Sequence, residues 1–397
     1  MSDPLAPNRT IQVDAVWTGD GFDGPTLFTV DGDQLTLADA VPNPVTDAPA
    51  PADSTGPLLP ASPRLPNSPL RPTSPLLGGT LIPSLIDHHT HLGLTDPGAL
   101  FAGGITHAVD LGWIPEVATS WRADLPGRPA VAIAGALITA PGGYPVASGW
   151  APEGAAAEVG GPREARQAVR KQVMLGASRI KVALNSDAGE TVDNSTLAAI
   201  VEESHAAGLP VVAHVQGPGQ TARAVKAGVD QLAHTPFTER LDDVLIAESA
   251  QRGMTWISTL DIHGWGVPTG QYRTAVDNLR RFVAAGGRVL YGTDLGNGDL
   301  PVGVNARELA ALQEAGLTGA ALVRTIAGRA AEPLGETATA TDENRLGPRV
   351  AWIPTPPPAD DRDLPAWLAT VRGVRVPDLA NITTTSTASR PPGQDTP

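Results

Sequence analysis

The fold class that this sequence predicts is α/β: a (β/α)8 TIM-like barrel carrying a small β-sandwich domain formed from the N- and C-terminal segments. Three observations carry it. From Gly79 to about Ala330, apolar strand-like runs alternate with amphipathic helical runs eight times, and polar residues stand at the ends of several of those strands. Outside that span the texture changes to short strands split by Gly-Asp turns. The 397 residues suffice for one barrel, which often takes about 250 residues, and a smaller unit beside it.

In chain order, Thr10 to Ala40 reads as short strands of the β-domain. Eleven prolines follow between Pro42 and Pro75, and from Pro57 onward they recur at every third residue. Polyproline II has about three residues per turn, so this spacing predicts a stiff rod with one proline ridge, a surface spacer or a docking site for a partner. The first barrel strand is expected from Leu81 to His89, with "GITHAVDLG" and "PAVAIAGALITAP" as the second and third. Helix "GPREARQAVRKQVMLGA" opens at Pro162, and "RIKVALN" is the fourth strand. "NSTLAAIVEESHAAG" is a helix with Asn194 or Ser195 as its cap and Gly208 as its stop. "LPVVAHV", "VDQLAH", "MTWISTLD" and "RVLYGTD" are the fifth to eighth strands, interleaved with helices at "GQTARAVKAG", "DDVLIAESAQRG", "TAVDNLRRFVAAGG" and "NARELAALQEAG". The expected organisation is residues 1–78 for the N-terminal β-segment with its Pro-rich linker (42–75), and 79–333 for the barrel. Residues 334–380 return to the β-domain, and 381–397 form a disordered tail.

Composition narrows the chemistry. A net charge of −14 and a pI near 4.9 argue against nucleic-acid and anionic-membrane partners, which select clustered Lys and Arg. No stretch reads as a leader or membrane span, so a cytoplasmic protein acting on a small-molecule substrate is expected. Cysteine is absent, which leaves imidazole, carboxylate or modified lysine for any metal site.

Residues two apart on a strand share a side, so in "IDHHTHLG" His89 and His91 face the same way as Asp87, while His88 faces the opposite way. An HxH pair at a strand end can chelate one ion. Lys181, His214, His234 and Asp294 stand at the ends of strands four, five, six and eight, and barrel enzymes gather catalytic groups there.

With "LIPSLIDHHTHLG", "GGITHAVDLG", "GASRIKVAL", "AAGLPVVAHV", "AGVDQLAH" and "VLYGTDLG", the chain from Thr10 to Ala330 resembles the amidohydrolase superfamily of metal-dependent hydrolases. Its imidazolonepropionase and Xaa-Pro dipeptidase branch matches best. The resemblance implies that His89 and His91 hold the more buried metal and that Lys181 is carboxylated to bridge two metals. It assigns His214 and His234 to the second ion, and makes Asp294 both ligand and proton shuttle. The implied activity is cleavage of a C–N bond in a dipeptide, N-acyl amino acid or cyclic amide by metal-activated hydroxide. A lactonase or esterase using the same centre is the alternative. Imidazole and carboxylate donors favour zinc, with iron and manganese as the other ions they suit. Two ions are expected, or one if Lys181 is unmodified.

Tyr144 in "TAPGGYP" and His263 in "TLDIHGWG" are the candidate substrate contacts, after strands three and seven. His205, near a helix end, and His107, before a strand core, read as structural. The family's C-terminal strand text is missing after Leu334, which predicts a reduced or rearranged β-domain and bears on contacts in a homo-oligomer rather than on the chemistry.

Overall fold

The computed structural model describes residues 9–38, 77–146, 148–327 and 345–382. The Pro-rich segment 42–75 and the expected tail beyond Ile382 lie outside these residues.

Two sheets form a sandwich. One orders the strands Arg9–Val13, Thr26–Asp31, Gln34–Leu37 and Arg345–Leu346; the other orders Arg372–Arg375, Arg349–Ile353, Thr80–Ile82, Ala15–Trp17 and Phe22–Asp23. Alternation buries Ile11 and Val13 from one strand, and Phe28 and Val30 from its antiparallel neighbour, against Val16, Leu81, Val350 and Trp352 of the opposite sheet. The segment expected as one strand from Leu81 to His89 is thus two. Thr80–Ile82 pairs with Arg349–Ile353 in the sandwich, and the first barrel strand begins at Ile86. Pro83 lies between them, and its missing N–H cannot extend a ladder.

The barrel strands lie in two parallel sheets. Ile86–Thr90, His107–Asp110 and Ala130–Ile133 form one. Leu137–Thr139, Ile180–Asn185, Val211–Gln216, Gln231–Leu232, Thr255–Ile257 and Arg288–Leu290 form the other, with Ala156–Glu158 added at the edge. The third expected strand is interrupted at Gly135, whose φ of +77° no side chain adopts easily and where a Cβ would strike Gln172 Oε1. Ser178 N donates to Ile133 O across that break. At the other end of the order, His88 N donates to Tyr291 O, Asp294 N to His89 O and His91 N to Leu295 O. The eighth strand and its following loop are therefore hydrogen-bonded to the first.

Most of these strands are buried on both faces, as parallel sheets covered by helices require. Ile86, Val109, Ala132, Val212, Ile257 and Leu290 pack together inside, while Val182, Val211, Trp256 and Phe282 belong to the layer shared with the helices. Helix Pro162–Met174 opens at its proline. Helix Asn194–Ala206 is capped by Asp193, not by Asn194 or Ser195: Asp193 is extended and its carboxylate accepts from Thr196 N at 2.7 Å, while the next residues are already helical. Among the described residues no helix is long and apolar enough to cross a membrane.

Candidate metal centre

His89 closes toward the centre from the first strand, and His91 from the residue just past it. His89 Nδ1 lies 2.8 Å from Ala233 O and His91 Nδ1 lies 3.0 Å from Gly112 O. A carbonyl only accepts, so each Nδ1 carries the proton and each Nε2 turns its lone pair inward. Those Nε2 atoms are 3.0 and 3.3 Å from Asp294 Oδ1. On the facing strands, His234 Nε2 lies 3.0 Å from His214 Nδ1, and His234 Nδ1 lies 2.9 Å from Thr259 Oγ1. Ligand atoms of His89, His234 and Asp294, one from each, lie within 4.8 Å of one another. His89 Nε2 is buried without a hydrogen-bond partner among the described residues. A buried imidazole lone pair with no proton to accept, beside a carboxylate and further imidazoles, suits a divalent cation.

Burial, above all, holds the histidines neutral. It pushes His89 down to about 4 and His214 to about 3, with Lys181 as the next cause in each, and His234 well below its usual value. Burial lowers His91 too, but the neighbouring Asp294 carboxylate outweighs it, and His91 is raised instead. Burial opposes ionisation of Asp294, yet the adjacent His89 imidazole, and after it those of His91 and His234, hold its carboxyl well below the ordinary range. Lys181 is 2% exposed, and burial lowers its amine to about 7 against the opposing charges of Asp294 and Asp110.

Backbone geometry places the carboxylate. Asp294 has φ +58°, one of three non-glycines with positive φ among the described residues. The others, Thr259 at +44° and Trp265 at +47°, also lie in loops after barrel strands. Asn297 Nδ2 donates to Asp294 Oδ2 at 2.8 Å, leaving Oδ1 toward the histidines.

The expected contacts divide. Tyr144 stacks on His214, with centroids 4.6 Å apart and planes at 24°, and lines a cavity of about 280 Å³ with His91, Leu94, Trp150, Asp294 and Asn297. His263 lies against Phe237 at 4.1 Å and does not line that cavity. His88 faces away, lining a separate cavity with Arg288 and Arg324. His205 pairs with Asp230 at 2.9 Å on the surface, and His107 meets Thr106 Oγ1 at 2.9 Å.

Sequence reasoning missed several supporting residues. Asp110 accepts from Leu92 N and Gly112 N at 2.8 and 3.1 Å, clamping the turn after His91. It ends the second strand in "HAVDLG", so strand-end position was a usable signal. Asp87 accepts from Thr293 N, from Thr293 Oγ1 at 2.6 Å and from His89 N, tying the first strand to the loop bearing Asp294. Trp150, edge-on to His91 at 5.2 Å, comes from a long loop and carried no sequence signal.

The amidohydrolase family profile matches residues 80–331, the whole span that carries these side chains. The chain belongs to the amidohydrolase family. This amidohydrolase is accordingly an enzyme acting on carbon–nitrogen bonds. No curated protein matches its sequence. Among solved structures it is similar to a Xaa-Pro dipeptidase with bound methionine, at TM-score 0.69 and 18% identity over 93% of this chain and 98% of the other. It is similar to the A. niger ochratoxinase, at 0.67 and 19% over 94% and 95%. A prolidase complexed with N-methylphosphonate-L-proline gives 0.67 and 19% over 93% and 98%. At such identities the likeness is one of fold.

Proposed function

We propose that this amidohydrolase cleaves an amide bond of a small molecule with the aid of divalent metal, held by His89, His91, His214, His234, Asp294 and a carboxylated Lys181, and that Asp294 carries the proton. The observation behind this reading is the Asp294 Oδ1 at 3.0 and 3.3 Å from two inward-facing imidazole nitrogens. Bound zinc would supply an acidified water and polarise the scissile carbonyl. With its carboxyl held well below the ordinary range, Asp294 can accept the proton of the attacking water and return it to the leaving nitrogen. Asn297 fixes the other carboxylate oxygen, which keeps the shuttling atom turned toward the cavity. The stacked Tyr144 and the Trp150 indole wall the cavity and limit competing water.

The neutral lysine amine adds to carbon dioxide and releases a proton as the carbamate forms, and burial of Lys181 favours that neutral form. Two zinc ions per chain are expected with the carbamate, one without it. The test combines elemental analysis with a panel of dipeptides, N-acyl amino acids, cyclic amides and lactones. Amide turnover that disappears on chelation and returns with zinc supports the assignment. Metal-loaded protein that opens lactones while leaving every amide intact refutes it.

A further inference from the structure

Resting on the metal-holding role of His214 in that reading, the surroundings of this ring bear on which of its nitrogens is free to bind. The strand Val211–Gln216 carries His214 and Gln216 two residues apart, so both side chains lie on one side of it. Register pairs Gln216 with Asn185, the last residue of the neighbouring strand Ile180–Asn185. Three polar groups meet there. Asn185 Nδ2 lies 3.0 Å from Gln216 Oε1, and His214 Nε2 lies 3.3 Å from each of those two atoms. At the far side of the ring, His214 Nδ1 faces His234 Nε2 at 3.0 Å, while Tyr144 stacks on the imidazole face.

The donors decide where the hydrogens lie. Asp187 N donates to Asn185 Oδ1 at 3.1 Å, which fixes the Asn185 amide and turns its Nδ2 toward Gln216. A donor facing Gln216 calls for the Gln216 amide oxygen there, not the nitrogen. The three distances make a nearly equilateral triangle. Seen from Asn185 Nδ2, Gln216 Oε1 and His214 Nε2 therefore stand roughly 60° apart, whereas the two amide N–H bonds diverge by about 120°. Asn185 cannot aim a hydrogen at each, and the shorter contact takes it. His214 Nε2 is left beside an acceptor, Gln216 Oε1, which a ring N–H satisfies. A neutral imidazole carries one proton, so Nδ1 keeps its lone pair, turned toward His234.

We propose that Gln216, held by Asn185, is a positioning residue that fixes His214 in its Nε2–H tautomer and so presents Nδ1 to the metal. The outer partner of a ligating imidazole sets the tautomer and ring orientation, and its loss costs about 10- to 100-fold in metal affinity. In metal-free protein His234 Nε2 donates to His214 Nδ1. Thr259 Oγ1, 2.9 Å from His234 Nδ1, can donate or accept, so it completes His234 in that tautomer and in the one that frees Nε2 for metal.

The test uses the full chain with isotope-labelled histidine. Long-range proton–nitrogen correlation spectra of metal-free protein, with the His214 signals identified by their loss in His214→Asn, should show Nε2 protonated and Nδ1 bare. Gln216→Leu removes the acceptor while keeping most of the bulk. It should shift His214 toward the Nδ1–H form and weaken zinc binding about tenfold or more in chelator competition. Gln216→Glu, whose carboxylate accepts the same hydrogen, should return the affinity to within about threefold of the parent. A parent His214 protonated at Nδ1 overturns the inference. So does a folded Gln216→Leu whose tautomer and zinc affinity match the parent, the result expected if the two amides serve only each other. Gln216→Met takes the place of Gln216→Leu if the latter does not fold. A parent chain that binds no zinc would sink the proposed function, and the His214 tautomer in metal-free parent and variant would then decide this inference alone.

Discussion

Asp294→Asn isolates the proton-carrying role. The backbone there is left-handed at φ +58°, a conformation that costs most L-residues about 1–2 kcal/mol but that Asn, like Asp, adopts readily. Asn is also isosteric, so its amide oxygen can keep the bond from Asn297 Nδ2, now 2.8 Å from the carboxylate. The substitution removes charge and basicity and also turns an amide N–H₂ toward the imidazoles in place of Oδ1, so turnover has to be compared at matched zinc content. A positioned acid–base group contributes about 10²- to 10⁴-fold, equivalent to roughly 3 to 5 kcal/mol of barrel-mouth transition-state stabilisation. Turnover of the best amide should fall by that factor in protein whose zinc content, measured by elemental analysis, matches the parent. Asp294 is held well below the ordinary carboxylate range. Its base form is lost only as pH falls through that depressed value, so the parent should show no acidic limb from this group above about pH 4. Turnover within about threefold of the parent at equal metal loading would refute the shuttle assignment.

Other perturbations address the remaining parts. Lys181→Ala should lower zinc per chain, with partial recovery on adding short carboxylic acids; unchanged stoichiometry in elemental analysis would remove Lys181 from the site. Gly292→Ala places a Cβ 2.3 Å from Ile257 Cγ2 and 3.1 Å from His89 Cβ. It should destabilise the fold by about 1–3 kcal/mol and weaken zinc binding, as seen by denaturant titration and chelator competition; an unshifted midpoint would contradict the packing. Glu308 is buried, accepts from Leu260 N and Asp261 N at 2.9 and 2.7 Å, and is raised by burial from 4.5 to about 7. Between those values the folded state holds a proton that the unfolded state has lost, so this group's contribution to stability falls as pH rises from about 4.5 to about 7. Glu308→Gln should lack that slope and also be less stable, because its amide N–H₂ faces a backbone N–H, at about 1–3 kcal/mol for a buried unsatisfied group; parallel stability–pH curves for parent and variant would refute it.

Some of this protein was legible in one dimension. The β/α alternation could be read because strand and helix periods differ, and the strand ends could be ranked because a polar residue closing an apolar run is costly without a partner. That reasoning singled out His89, His91, Lys181, His214, His234 and Asp294, and turned His88 away from them, since pleating fixes the side of each residue. Tertiary structure decided what no local pattern encodes. Pairing with Arg349–Ile353 assigned Thr80–Ile82 to the sandwich rather than to the barrel, a contact made across more than 260 residues of chain. Carbonyls from Ala233 and Gly112 chose which imidazole nitrogens face inward, and Thr293, 206 residues away in sequence, bound Asp87. Loops brought Trp150 and Asn297 to the cavity and left His263 against Phe237. Short-range periodicity follows from backbone geometry and is written in the order of residues, whereas loop paths and hydrogen-bond partners depend on which distant segments folding brings together.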